Sequence, residues 1–184
     1  STGNNYVDLS ANATETLNVS GTGVFKADTV ALGALKTVTV TETAGLTLDA
    51  TPAATIESVN TTGTTGTVTV TIAGDKATYT GGAGVDSVTI NNPNTAISKA
   101  VDLGAGNDRL NLSAATAAMA TPTVELKGGD GTDTLVFSTA AAVALSAGAT
   151  FQDKISGFER LELTATTATG TVSLNNLDAI NYVI

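Results

Sequence analysis

The sequence lacks the residues on which most enzyme sites and many metal sites depend. Its 184 residues include no cysteine, no histidine and no tryptophan. Without cysteine there can be no disulfide, no thiolate metal site and no cysteine nucleophile. Without histidine the chain lacks the commonest general base, the usual zinc ligand and the serine–histidine–aspartate triad. We therefore expect that this chain is not an enzyme.

Aromatic residues and positive charges are also scarce. Aromatic residues make up 4% of the chain, so a core must come from the Val, Leu, Ile and Ala within its 42% of hydrophobic residues. Eight basic residues stand against 17 acidic ones, for a net charge of −9, and the basic residues are scattered singly. Nucleic-acid phosphates need clustered Lys and Arg, so we expect no nucleic-acid partner. No apolar run reaches the roughly 18 residues of a membrane span, so we expect no membrane insertion.

A short pattern recurs at a fixed interval of about 21 residues in the first third of the chain, which is the mark of a repeat architecture. The copies occupy residues 15–20, 36–41 and 57–62, and a fourth copy lies far downstream at residues 159–164. Each copy alternates polar and apolar residues, which is the period of a half-buried strand. A second short strand follows the second and third copies, at residues 45–48 and 68–72. Two strands and two turns therefore repeat as a unit.

This repeat predicts an all-β fold, a right-handed parallel β-helix or β-roll solenoid with coils of about 21 residues. Thr and Val, which are abundant, favour the extended backbone that such coils need. A β-sandwich is the alternative, because it is also built from regular short strands. A sandwich gives no reason for the same motif to return at a fixed interval, so we prefer the solenoid. The Ala-rich residues 140–149 are compatible with a short helix or with a loop.

Three glycine-rich turns follow at residues 81–89, 103–111 and 128–136. Each reads G-G-x-G-x-D-x-apolar-x, except that Leu103 replaces the first glycine of the second turn. This pattern resembles the calcium-binding nonapeptide repeat of the RTX proteins. The apolar residues at its eighth position, Val88, Leu110 and Leu135, are expected to anchor each turn in the core.

The composition of these turns suits calcium. The ion prefers six to eight oxygen ligands, which glycine carbonyls and aspartate carboxylates can supply together. One turn offers about half of such a shell, and the turn one coil further along offers the rest. Gly82, Gly104 and Gly129 follow one another at intervals close to one coil, so the turns should stack and form two sites. The predicted calcium ligands are Gly82, Gly84, Asp86, Gly104, Gly106, Asn107, Asp108, Gly129, Asp130, Gly131 and Asp133.

The first of these sites would lie between Asp86 and Asp108, and the second between Asp108 and Asp133. The alternative is that the turns are plain tight turns in which aspartate caps local N–H groups. Glu159 and Glu162, on the polar side of the fourth repeat copy, are expected to be solvated.

The glycine–aspartate turns resemble the RTX family of type I-secreted bacterial proteins. A Thr/Ala-rich ladder, the three turns and then the segment 155–161 follow in an order similar to that of RTX-bearing surface-layer proteins of Gram-negative bacteria. The resemblance implies an extracellular position on the bacterial cell surface, calcium that makes the solenoid rigid, and assembly with other surface-layer copies. The chain departs from a full β-roll in having few nonapeptides, spaced by about one coil.

The expected organisation is a Thr/Ala-rich solenoid ladder at residues 1–76, calcium-binding coils at residues 77–137 and C-terminal coils at residues 138–184. The preferred function is a structural calcium-binding module of a surface-layer protein. Two alternatives are a module of a large RTX adhesin and the non-catalytic RTX domain of a secreted enzyme. No H-E-x-x-H or G-x-S-x-G motif occurs in the chain.

Overall fold

The computed structural model describes residues 5–6, 13–27, 32–48, 54–91, 96–114, 122–164 and 169–184. The first half of this part contains the strands β1 (Asn5–Tyr6), β2 (Thr16–Val19), β3 (Val24–Ala27), β4 (Thr37–Glu42), β5 (Gly45–Leu48), β6 (Ser58–Thr64), β7 (Val68–Ile72), β8 (Thr78–Thr80) and β9 (Asp86–Ile90). The second half contains β10 (Val101–Asp102), β11 (Ala105–Gly106), β12 (Arg109–Asn111), β13 (Leu126–Lys127), β14 (Asp130–Gly131), β15 (Thr134–Ser138), β16 (Ile155–Ser156), β17 (Arg160–Thr164) and β18 (Tyr182–Val183).

These strands form stacked parallel sheets. One sheet has the order β1-β3-β5-β7-β9-β12-β15-β17-β18, the second has the order β16-β13-β10-β8-β6-β4-β2, and β11 pairs with β14. Every described pair is parallel, and successive strands of the first half alternate between the two large sheets. The chain is therefore a right-handed β-solenoid of about seven turns, which confirms the predicted fold. A β-sandwich would require antiparallel pairs.

The register confirms the predicted repeat and shows where it lengthens. Leu17 pairs with Val38, and Val38 pairs with Val59, so each partner lies one repeat further along the chain. The longest interval between paired strands separates Leu126 from Ile155. It contains the helix α1 (Thr139–Leu145), which resolves the Ala-rich stretch as a short helix rather than a loop. The additional residues of this interval lie outside the strands, and the strands before and after them still pair in register.

The core is made of inward-facing aliphatic side chains in columns along the solenoid. In β4, Val38 and Val40 are fully buried, and Thr39 between them is half-buried. Each buried Val or Leu contributes about 1.5–3 kcal/mol through removal of apolar surface from water. Near α1 the core also contains aromatic rings. Phe137 and Phe151 pack edge to face there, with their ring centroids 5.5 Å apart.

Two 3₁₀ helices, Gln152–Lys154 and Leu174–Asn176, complete the described elements. None of the helices in the described ranges is both long and apolar enough to cross a membrane.

Candidate metal centre

The three glycine-rich turns stack on one another, as their spacing predicted. Ala105 and Gly106 of the second turn pair in parallel with Asp130 and Gly131 of the third. Ala105 N–H donates to the carbonyl of Gly82 (2.8 Å). In the same way, Asp130 N–H donates to the carbonyl of Gly104 (2.9 Å). The turns therefore form a small ladder of their own at one corner of the solenoid.

Glycine is required in these turns for two different reasons. Gly104 and Gly129 have positive φ angles, 90° and 105°, that other residues rarely adopt. Gly84 does not have a positive φ, but a Cβ there would overlap the carbonyl oxygen of Gly66 in the coil before it. Positive φ therefore requires glycine in the second and third turns, and close backbone approach requires it in the first.

The aspartates of the three turns point into the solenoid. Asp86, Asp108 and Asp133 have only 1%, 1% and 0% of their surface exposed. Asp86 begins β9 and faces the same side as the buried Val88 and Ile90. In the preceding coil, the register places Val68 opposite Asp86. An inward column that is apolar upstream thus becomes acidic at Asp86.

A ladder of hydrogen bonds links the carboxylates of this acidic column. Asp108 Oδ1 accepts from the backbone N–H of Asp86 (2.7 Å), and Asp133 Oδ1 accepts from the N–H of Asp108 (2.7 Å). Glu159 Oε2 accepts from the N–H of Asp133 (2.9 Å). Each of these carboxylates therefore points to the coil before its own and ties two coils together.

Four carboxylate oxygens in the column lack any hydrogen-bond partner among the described residues. They are both oxygens of Asp86, Oδ2 of Asp108 and Oδ2 of Asp133. None of the three side chains makes a salt bridge within the described chain, and Arg109, which follows Asp108, pairs instead with Glu162 (2.8 Å). A buried carboxylate oxygen without a partner is strongly destabilising, so the column requires a compensating positive charge or a proton.

Burial is the main cause of raised pKa values in the column. Loss of solvent raises the pKa of Asp86 to about 7; the nearby Tyr79 phenol opposes this rise and the charge of Asp108 adds to it. Loss of solvent also raises the pKa of Asp108 to about 6, and Asp133 adds to that rise. The pKa of Asp133 is raised by burial and then by the charges of Glu159 and Asp130. At neutral pH the column therefore holds negative charge in an unfavourable place.

The remaining predicted ligands lie at the outer rim of the turns. Asn107 is exposed, and its Oδ1 accepts from the N–H of Thr132 (3.0 Å) in the next turn. Asp130 and Gly131 are exposed as well. Gly129 is exposed too, Gly82, Gly104 and Gly106 are half-buried, and Gly84 is buried together with the three aspartates.

Two kinds of residue in this region were missed by the sequence reasoning. Glu159 was expected to be solvated, but it is half-buried and is the next carboxylate of the column after Asp133. Thr61 and Tyr79 are buried at the opposite end, with their hydroxyl oxygens 3.2 Å apart. None of these residues lies within a nonapeptide. Glu159 and Thr61 lie about one coil from a motif, and Tyr79 stands just before the first one.

The inner residues fit a hard cation. No three acidic side chains in the described ranges gather at one point. Instead, consecutive carboxylates are one coil apart, about 4.8 Å. An ion with metal–oxygen distances of about 2.3–2.6 Å can bridge oxygens at that spacing. The carbonyls of Gly82 and Gly104 each accept one backbone N–H from the next turn and keep a second lone pair for another partner.

Fold and site together define a β-solenoid with a buried acidic column beside stacked glycine turns. Comparisons with models of known families, with curated proteins and with solved structures give no match for this chain.

Proposed function

We propose that this chain is a calcium-binding structural module of a secreted bacterial surface-layer protein, in which calcium between stacked turns fixes the solenoid. The observation that carries the proposal is the set of four buried, unpartnered carboxylate oxygens in one column beside the glycine turns. The salt bridges of the described residues bring no positive charge to them. A cation from the solvent would complete the column.

Calcium suits this column better than magnesium. The available oxygens are carboxylates and glycine carbonyls arranged in successive coils rather than at the corners of one octahedron. Calcium accepts six to eight such ligands in flexible geometry, whereas magnesium demands a near-ideal octahedron and keeps several waters. The three aspartates are closed to bulk solvent, which disfavours an ion that keeps its waters.

Asp86, Asp108 and Asp133 would then couple metal binding to folding. Without a cation, their charges repel one another inside the solenoid and oppose close stacking of the coils. With a cation bound only by the folded chain, the free energy of binding adds to the free energy of unfolding. Extracellular calcium modules bind at roughly 10⁻⁴ to 10⁻³ M, so the chain would become rigid on reaching the outside of the cell.

The order of motifs supports the surface-layer part of the proposal, since it is similar to that of RTX-bearing surface-layer proteins. A structural role also agrees with the use of the acidic side chains. Asp108, Asp133 and Glu159 accept hydrogen bonds from neighbouring coils rather than facing an open cleft. The net charge of −9 would allow divalent ions to bridge separate copies.

A calcium titration followed by calorimetry and circular dichroism tests the proposal. We expect saturable binding with a gain of β-sheet signal, little response to magnesium and reversal by EGTA. Lattice assembly is then tested by electron microscopy, where calcium should produce ordered arrays of copies. Absence of binding at several millimolar calcium would reject the metal-dependent function, and binding without self-association would reject the surface-layer assignment.

A further inference from the structure

The acidic column has an unusual upstream end. Asp108 and Asp133 each accept an N–H from the coil before their own. Asp86 cannot do so, because the N–H of Val68 opposite it already donates to the carbonyl of Val85 (3.0 Å). Both oxygens of Asp86 consequently have no hydrogen-bond partner, although only 1% of the residue is exposed.

Two buried hydroxyl groups lie beside Asp86. Tyr79 is 1% exposed and Thr61 is fully buried, and their hydroxyl oxygens are 3.2 Å apart. Thr61 Oγ1 donates to the carbonyl of Thr80 (3.2 Å) and lies within hydrogen-bonding distance of the Tyr79 hydroxyl. Burial raises the pKa of Tyr79 well above its ordinary value, and the charge of Asp86 raises it further. Lone pairs of both hydroxyl oxygens remain available.

Two carbonyl groups of the preceding coil lie against the first glycine-rich turn. The backbone of Gly82 lies so close to the carbonyl oxygens of Thr61 and Thr64 that a Cβ on Gly82 would overlap both. Thr64 O also accepts from the N–H of Ala83 (3.1 Å), which ties the preceding coil to the first glycine-rich turn. Each carbonyl keeps a second lone pair for another partner.

We propose a third cation site at this upstream end, between residues 61–66, at the end of β6 and just after it, and the turn at residues 81–86. Its ligands are the carboxylate of Asp86, the hydroxyls of Thr61 and Tyr79, and the carbonyls of Thr61 and Thr64. The site rests on the proposed function, because it takes the same ion, calcium. It goes beyond the two motif-based sites, because residues 61–66 lack the nonapeptide.

The chemistry of this ligand set matches a hard cation. Carboxylate, hydroxyl and carbonyl oxygens together supply six donors, the lower end of the range that calcium prefers. All of these atoms are hard oxygens, and none is a nitrogen or sulfur donor that would favour a transition metal. A cation here would also satisfy the one carboxylate of the column that has both oxygens unpartnered.

Calorimetric stoichiometry tests the inference. We expect the unchanged chain to bind three calcium ions and the double variant Thr61→Val with Tyr79→Phe to bind two. Thr61→Val replaces the hydroxyl by a methyl group of similar size, and Tyr79→Phe removes the hydroxyl alone. The matched controls, Thr69→Val on the exposed side of β7 and Tyr182→Phe in the exposed β18, should keep three ions.

The possible failures are distinguishable. No saturable calcium binding by the unchanged chain would overturn the proposed function together with this site. Two ions in the unchanged chain, or three in the double variant, would overturn the third site alone. If the double variant loses its circular dichroism signal, the single variants are measured instead, and Thr61→Ser, which keeps the hydroxyl, should retain the third ion that Thr61→Val loses.

Discussion

At the scale of single residues, three buried aspartates dominate the properties of this solenoid. Their carboxylates replace apolar side chains in an inward column, and only one oxygen each of Asp108 and Asp133 is hydrogen-bonded. The free chain therefore contains an electrostatic conflict that a cation relieves. Substitutions in the column should have opposite effects on the calcium-free and calcium-bound forms.

Asp108→Asn tests this opposition directly. The substitution removes a buried charge and keeps an oxygen that can accept from the N–H of Asp86. We expect the calcium-free variant to gain about 1–2 kcal/mol of unfolding free energy at pH 7.5, since the raised pKa of Asp108 reflects destabilisation of its charged form. The same variant should lose more than half of the stabilisation by calcium.

Urea denaturation with and without calcium measures both effects. Asp153→Asn in the exposed 3₁₀ helix is the matched control and should change neither form. An Asp108→Asn chain that responds to calcium like the unchanged chain would contradict the role of this carboxylate.

The pH dependence of the calcium-free chain follows from the same groups. The folded-state pKa values of Asp86, about 7, and Asp108, about 6, lie above the ordinary value of 3.8. At pH values between the ordinary pKa of 3.8 and the folded-state pKa of about 7, the folded chain binds more protons than the unfolded chain. The stability of the folded chain should therefore fall as the pH rises from about 4 to about 7. Urea midpoints at pH 4.5, 6.0 and 7.5 measure this fall.

Saturating calcium should reverse part of this trend, because the carboxylates must lose their protons to bind the ion. The stabilisation by calcium is then expected to grow between pH 5 and 7.5. A calcium-free chain whose midpoint does not change, or rises, over this window would show that the column is not buried in solution.

At the residue scale, the sequence predicts the turns but not the environment of their aspartates. The nonapeptide identifies Asp86, Asp108 and Asp133, yet nothing in the motif shows that their oxygens are left unpartnered. Glu159 was placed on the wrong side of its strand, because alternation alone does not tell which carboxylate continues a column from the coil before.

At the scale of elements, the stacking of glycine turns sets how closely the coils approach. The period of the repeat and the paired short strands are predictable, because alternation and turn residues are local properties of the chain. The sheet to which a strand belongs cannot be predicted from such local properties. The repeat copies at residues 15–20, 36–41 and 57–62 supply β2, β4 and β6 of one sheet, whereas the fourth copy supplies β17 of the other.

Gly104→Ala tests the importance of close stacking. Gly104 has a φ of 90°, and a Cβ there would overlap the carbonyl oxygen of Gly82 and lie 2.8 Å from the carbonyl carbon of Gly81. We expect a loss of about 1–3 kcal/mol in unfolding free energy, from backbone strain and displaced coils. Thermal unfolding followed by circular dichroism measures it.

Gly148→Ala is the control for this substitution. A Cβ on Gly148 meets no atom within 4 Å, and its φ is not in the left-handed region. This variant should unfold within about 0.5 kcal/mol of the unchanged chain. Equal stability of the two variants would mean that the turns are not packed as the structure shows.

At the scale of the whole molecule, each coil of a solenoid is stabilised mainly by its neighbours. The upstream coils have the apolar residues Leu46 and Val68 in the column that is acidic further along. Stability should therefore be uneven along the molecule when calcium is absent. The overall fold was predictable from the repeat, whereas this division depends on which side chains share a column.

Hydrogen–deuterium exchange should reveal the division. Without calcium, we expect amides of β4 and β6 to be protected and amides of β9, β12 and β15 to exchange faster. Calcium should slow exchange in the second group much more than in the first. Uniform protection that calcium leaves unchanged would show that the acidic coils are stable on their own.

The central claim is that the buried carboxylate column binds cations between stacked turns. The most direct test is anomalous diffraction from crystals grown with calcium, compared with crystals grown with EGTA. The account predicts anomalous peaks between the carboxylates of Asp86 and Asp108 and between those of Asp108 and Asp133, which disappear with EGTA. Carboxylates that remain buried at neutral pH with no anomalous density beside them would contradict it.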